Sequence, residues 1–386
     1  MKIGIVGSGA MGSGIAQTAA INGFETLIFD KNTEALQKAA ETILNSISKL
    51  QSKQKLNFLQ AENARKNILP INNLHEFEKC DLIIEAVIEN LSVKKNVFEE
   101  LETIVNSECI IATNTSSFTV TSIASACKNA QRVIGIHFFN PAYIMPLVEI
   151  IPALQTNQKT LQKASNFIKQ LNKTQVLAKD TPGFIVNRIA RPFYCESFKI
   201  YEEGIADFAE IDFALKTKGN FKMGPFELSD FIGHDVNYNV TESIWTSTYF
   251  DSRYKPSFCQ KQLLNAGYLG KKTNKGFYDY QEGVIKNKNT IVDENLATLI
   301  FERVLAMLIN EAAEALSTKN ASINDIEIAI VKGLNYPRGL FNWANDFGIE
   351  KTVNILDLFY EKYKDSRYRC SYILREMNIK KTLFEF

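Results

Sequence analysis

The chain has 386 residues, enough for two or three domains, and its 45% hydrophobic and 23% charged side chains allow a sizeable core. Lys and Arg total 44 against 43 Asp and Glu, a formal net charge of +1. That balance gives no whole-molecule field to hold nucleic acid or an anionic membrane, so neither is expected as a partner and an anionic ligand must be caught by local groups.

The chain opens on "KIGIVGSGAMGSGIAQTAAINGF": an apolar strand, a glycine turn, and a small-residue helix stopped by Gly23. Gly7, Gly9 and Gly12 form GxGxxG, with Met11 inside it, between a strand and a helix. Gly7 permits the tight turn, Gly9 lets a pyrophosphate approach the backbone, and Gly12 lets helix and strand lie close. The phosphates then meet free N–H groups at the positive end of the helix dipole. A second strand, "ETLIFD", ends in Asp30, whose carboxylate suits the ribose hydroxyls and repels a 2′-phosphate. NAD is therefore the expected cofactor. Further on, "ISKLQSKQKL" places Lys49, Lys53 and Lys55 on an expected helix, suited to nucleotide phosphates.

The runs "CDLIIEAVIEN", "CIIATNTSS" and "RVIGIHFFN" have the short, doubly apolar character of parallel strands covered on both faces. Ligands in an open α/β sheet bind beyond the carboxyl ends of its strands, where Glu89, Asn114, Ser116, His137 and Asn140 all fall. His137 is one of only three histidines, and Glu149 interrupts the next apolar run, "LVEII". If the loop "FNPAYIMP" brings the chain back, Glu149 can fix one ring nitrogen while the other works on a substrate hydroxyl.

After a last strand, "TQVLA", Pro182 and Gly183 mark a boundary, and a helical pattern begins near Gly183. Asn187 falls on its first turn, facing the sheet edge if Ile185, Ile189 and Phe193 face the core; the active site is then an expected interdomain cleft. Pro192 predicts a kink. "DSRYKPSF" at 251–258 recurs as "DSRYRCSY" at 365–372, and "IVNRIARPFYCES" at 185–197 aligns with "IFERVLAMLINEA" at 300–312. This near-constant spacing predicts two related helical lobes, the second carrying Glu302 in place of Asn187 and so structural in role. Trp245 and Trp343 are read as helix-packing core. The expected architecture is an α/β Rossmann-type dinucleotide-binding domain over 1–182, a first helical domain over 183–290 and a second, duplicated one over 291–386. The six cysteines form no CxxC pair and read as small thiols in a reducing compartment. No metal site is expected. With no leader and no run of about 18 apolar residues, the expected location is cytoplasmic.

The motifs "GSGAMGSGIA", "EAVIEN", "NTSS", "GIHFFNPAYIMPLVEI", "DTPGFIVNR" and "GPFELSDFIG" resemble, over about residues 1–282, the L-3-hydroxyacyl-CoA dehydrogenases, including 3-hydroxybutyryl-CoA and 3-hydroxyadipyl-CoA members. The resemblance implies reversible NAD-dependent oxidation of an L-3-hydroxyacyl-CoA to the 3-ketoacyl-CoA. By matching position it implies His137 as general base paired with Glu149. Ser116 and Asn187 then bind substrate oxygens, and Asp30, Glu89, Lys94, Asn114 and Asn140 line the NAD site. Ser46 and Lys53 are matched to the coenzyme A moiety. In single-lobe relatives the helical domain makes the dimer contact, so this chain is either a homodimer or a monomer whose second lobe replaces a partner. Acyl length stays open between short and dicarboxylic chains. The rival readings are a 3-hydroxyacid dehydrogenase acting on free acids and a nucleotide-binding structural protein, the latter at odds with an intact catalytic set.

Overall fold

In a computed structural model that describes residues 1–281 and 292–386, the apolar runs of the N-terminal half become one eight-stranded sheet. The strands are β1 (Lys2–Val6), β2 (Glu25–Phe29), β3 (Ile68–Ile71), β4 (Leu82–Glu85), β5 (Ile110–Thr113), β6 (Val133–Phe138), β7 (Leu147–Pro152) and β8 (Thr174–Leu177). Their order is β3-β2-β1-β4-β5-β6-β7-β8, and the sequence order reverses between β1 and β4, where a ligand crevice forms in such sheets. The first six strands run parallel; β7 is antiparallel to β6 and β8 is parallel to β7. β1, β4 and β5 have almost no solvent exposure, as strands covered on both faces require. Ile5, Ile15, Ala19, Ile28, Ile84, Ile134, Val148 and Phe167 belong to one core cluster.

The chain divides into two compact units, Met1–Phe184 and Ile185–Phe386. Among its described residues every named element of the second is a helix. Its helices repeat: Phe208–Gly219 and Pro225–Ile232 recur, shifted by 115 residues, as Ile323–Leu334 and Leu340–Phe347. In the first copy Asp212 accepts hydrogen bonds from the Phe226 and Glu227 amides at 2.9 and 2.8 Å; in the second Glu327 accepts one from the Phe341 amide at 2.7 Å. The expected lobe boundary at 290–291 lies outside the described residues.

The two copies grip one another through exchanged charges. Arg188 Nε meets Glu311 at 2.7 Å, and its counterpart Arg303 meets Glu196 at 2.6 Å. Tyr254 donates to Glu311 at 2.6 Å and Tyr368 to Glu196 at 2.7 Å. Arg253 and Arg367 complete the two clusters at 3.2 and 3.4 Å. Both glutamates are 1% exposed. Such reciprocal contacts, in which i meets j and j meets i, are the mark of a twofold interface, here contained within one chain.

Four local expectations need adjustment. The helix bearing Lys49 ends at Ser52, with Lys53 as its cap and Lys55 beyond it, because Gln54 turns to a φ of 56°. The helix expected near Gly183 starts at Val186, since Gly183 and Phe184 both take left-handed φ values, 75° and 47°. Pro192 stands at the start of Arg191–Glu202, and the break falls at Ala190 just before it. Trp343 is buried between Phe221 and Phe301, whereas Trp245 is only half-buried, against Phe250.

Candidate active site

The glycine turn follows β1 and leads into the helix Ala10–Ile21. Gly7 has a φ of +102°, and a Cβ there would strike the Ala86 carbonyl. A Cβ on Gly12 would overlap the carbonyl oxygen of Gly7, so helix and strand approach as closely as the motif predicts. A Cβ on Gly9 would meet nothing within 4 Å. Gly9 is therefore dispensable to the protein's own packing, and its smoothness faces open space at a helix N-terminus, the setting a pyrophosphate needs. Met11 is half-buried and packs on the core cluster.

Asp30, just after β2, is tied to this turn: its Oδ2 accepts from the Ser8 amide at 2.8 Å and the Ser8 hydroxyl at 2.9 Å. Oδ1 accepts from the Asn32 amide at 2.9 Å. Burial pushes its pKa up, but these hydrogen bonds and Lys31 prevail and hold it below the usual value. A fixed anion beside the glycine turn fits NAD and opposes an extra phosphate.

Beyond β4 and β5 a second group assembles. Lys94, 1% exposed, reaches Glu85 at 2.7 Å and Glu89 at 3.1 Å. Glu85, the last residue of β4, also accepts from Thr113 at 2.7 Å and from the Val87 amide at 2.8 Å. Glu89 Oε1 accepts from the Thr115 hydroxyl at 2.5 Å and from the amides of Ser116 and Ser117 at 3.2 and 3.1 Å. Burial raises the Glu89 pKa, yet the Lys94 charge and these donors bring it below the normal range. The loop carrying Ser116 is thus draped over one ionised carboxylate, and Lys94 holds that carboxylate from behind. Asp180 fixes the other end of the loop, accepting from the Val120 and Thr121 amides at 2.8 and 2.7 Å.

His137 and Glu149 are direct register partners on β6 and β7. Nδ1 of His137 lies 2.7 Å from Oε2 of Glu149, with the residues 5% and 0% exposed. An ionised Glu149 leaves the proton on Nδ1 and turns Nε2 into a base. Phe139 and Phe184 pack against the imidazole at centroid distances of 4.6 and 5.8 Å, their rings tilted by 59° and 58° to it. Asn114 accepts from the Phe138 amide at 2.8 Å and so pins the end of β6. Asn140, two residues past β6, is exposed. Lys173 closes the loop between β6 and β7 from beneath, donating to the carbonyls of Ala142 and Met145, each at 2.7 Å.

Ser46 lies on the helix Thr33–Ser52 and accepts from Gln17 at 2.9 Å; Lys53 is exposed at that helix's end. Asn187 sits half-buried on the short helix Val186–Ile189 at the start of the second unit, with Ile185 and Ile189 fully buried beside it. Sequence reasoning missed Glu85, Lys173 and Asp180. Glu85 carried the signal that exposed Glu149, a carboxylate inside an apolar run, in "LIIEA".

Comparison with known proteins agrees with this geometry. The family profile described as "3-hydroxyacyl-CoA dehydrogenase, NAD binding domain" matches residues 2–181, and that of the family's C-terminal domain matches twice, at 183–280 and 299–383. The chain is 32% identical to 3-hydroxyadipyl-CoA dehydrogenase of Escherichia coli K12, covering 99% of this chain and 98% of that protein. It is 38% identical to 3-hydroxybutyryl-CoA dehydrogenase of Clostridioides difficile, over 73% of this chain and all of that one. A crystal structure of 3-hydroxybutyryl-CoA dehydrogenase from Escherichia coli K12 superimposes with a TM-score of 0.92 at 31% identity, covering 98% of both chains. The chain belongs to the 3-hydroxyacyl-CoA dehydrogenase family. It is an NAD-dependent oxidoreductase acting on a CH–OH group. No helix among the described residues is long and apolar enough to cross a membrane.

Proposed function

We propose that His137 is the general base in the reversible oxidation of an L-3-hydroxyacyl-CoA and that Glu149 is its positioning partner. The observation that carries this reading is their buried 2.7 Å contact at the carboxyl end of β6. Nε2 takes the proton of the 3-hydroxyl, and Glu149 stabilises the imidazolium that results. Bound NAD supplies the acceptor for the hydride leaving C3. Ser116, on a loop made rigid by Glu89, and Asn187 are assigned to the substrate's oxygens, where fixed donors align C3 for transfer. The glycine turn and Asp30 are assigned to the pyrophosphate and ribose of NAD; Glu89, Lys94, Asn114 and Asn140 complete that side. Lys94 and Glu89 contribute by shaping the loop, since Lys94 is 1% exposed and already engaged.

Ser46 and Lys53 are assigned to coenzyme A. The exchanged charge clusters of the two lobes support a monomer in which the second lobe occupies a partner's place, and six free cysteines support a reducing cytoplasm. Initial rates with 3-hydroxybutyryl-CoA and with free 3-hydroxybutyrate test the substrate class. Turnover confined to the thioester is expected, and comparable turnover of the free acid overturns it.

A further inference from the structure

Among the described residues of the second unit, Arg188, Arg191, Arg253, Arg303 and Arg367 are buried or nearly so. Four of them pair with glutamates, and these four form two repeat-related couples, Arg188 with Arg303 and Arg253 with Arg367. Arg191 stands apart on both counts. It is 4% exposed, yet no carboxylate among the described residues pairs with it. The repeat-equivalent position holds Ala306. The lobe that has Glu302 in place of Asn187 therefore also lacks this arginine, while the four arginines that pair with Glu196 and Glu311 occur as counterparts in both copies.

Its surroundings are polar but neutral. Nε donates to the Asn187 carbonyl at 2.9 Å, and Nη1 donates to the Thr241 hydroxyl at 2.8 Å and, at 3.5 Å, towards the Asn237 carbonyl. The guanidinium carbon lies 5.0 Å from the Tyr194 ring centroid. Nη2 makes no hydrogen bond among the described residues. The Tyr336 hydroxyl, one of the groups that interact electrostatically with Arg191, is buried without a partner there. Burial pulls the arginine's pKa down, with no acid to restore it. A buried cation without a counter-charge is unfavourable, and the other buried arginines of this unit are each offset by a glutamate.

We propose that Arg191 receives the terminal carboxylate of the acyl chain, so that the enzyme prefers a dicarboxylic 3-hydroxyacyl-CoA to one ending in a methyl group. The proposal rests on the assignment of Asn187 to substrate oxygens. The guanidinium is bonded to the backbone of that same residue, its Nε 2.9 Å from the Asn187 carbonyl oxygen. In a six-carbon diacid the terminal carboxyl carbon lies about 4 Å from C3, three carbon–carbon bonds away, so a cation that receives it must stand close to the residue that holds the C3 oxygen. Nη2 offers both its protons, and a carboxylate there gains a charge-assisted hydrogen bond in a dry setting.

The test is a comparison of kcat/KM for 3-hydroxyadipyl-CoA and 3-hydroxyhexanoyl-CoA, equal in carbon number and different only at the end. The wild-type ratio should favour the diacid by about tenfold or more. Arg191→Met should bring the ratio to about one or below, with Arg191→Lys between the two. A wild-type ratio near one, or an Arg191→Met variant that slows both substrates alike, overturns the proposal. If Arg191→Met fails to fold, Arg191→Gln and the wild-type ratio decide in the same sense. Turnover of neither thioester would strike the parent reading, whereas good turnover of both without preference would strike the role of Arg191 alone.

Discussion

His137 and Glu149 face each other across two antiparallel strands, and the pleat that makes them register partners also buries both. His137→Gln should lower kcat by roughly 10²–10⁴-fold while NAD still binds. Glu149→Gln keeps the shape and removes the charge, and should cost about two orders of magnitude or more. Steady-state rates with a separate NAD titration check both. Near-wild-type turnover by His137→Gln would remove the imidazole from the mechanism.

Gly9 and Gly12 should separate binding from stability. Gly9→Ala meets no protein atom and has an ordinary φ of −63°, so the melting temperature without cofactor should stay near wild type while the Kd for NAD rises. Gly12→Ala collides with the Gly7 carbonyl and should destabilise the fold by about 1–3 kcal/mol. Thermal unfolding with and without NAD distinguishes the two patterns, and equal behaviour would count against the phosphate-facing role of Gly9.

Lys94→Met strands Glu85, which is 0% exposed, without its cation. Removing one partner of a buried pair costs about 3–5 kcal/mol, and adding Glu85→Gln should recover part of it. Chemical denaturation measures the coupling. Additive losses in the double variant would deny that the two residues act as a pair.

Lys173 gives a pH signature. Burial pushes its ammonium down to about 8, against about 10.4 in an unfolded chain. Between those values the unfolded state keeps a proton that the folded state has released, so this group's contribution to stability rises with pH across that window. The stability of wild type relative to Lys173→Met should therefore improve from about pH 7 to about pH 9.5. A relative loss over that range would contradict the buried placement beneath the Ala142–Met145 loop.

The nucleotide-binding half was legible because its signals are local. The glycine triplet needs a strand before it and a helix after it, and Asp30 needs only to end the next strand. The His137–Glu149 pair was legible for a different reason, since polar residues inside apolar runs are costly unless they meet. The same logic applied to Glu85 but lacked a visible partner, because Lys94 reads as one more charge on an amphipathic helix. Lys173 and Asp180 bind backbone groups of distant loops, and no side-chain pattern in the sequence announces a carbonyl or an amide as the partner. Helix ends were misjudged where single residues, Gln54 and Phe184, take left-handed conformations that their side chains do not advertise.

The exchanged glutamates of the helical unit carry a consequence for how the two copies change over time. Joined in one polypeptide, the copies meet irrespective of protein concentration, so dilution has no hold on their union. That security relieves the second copy of chemistry. It retains the charges that clasp its sister, in Arg303, Glu311 and Arg367, yet bears Glu302 and Ala306 at the positions of Asn187 and Arg191. A duplicate bound in this way can drift wherever it need not touch a ligand, and the record of that drift separates the residues that brace from those that react.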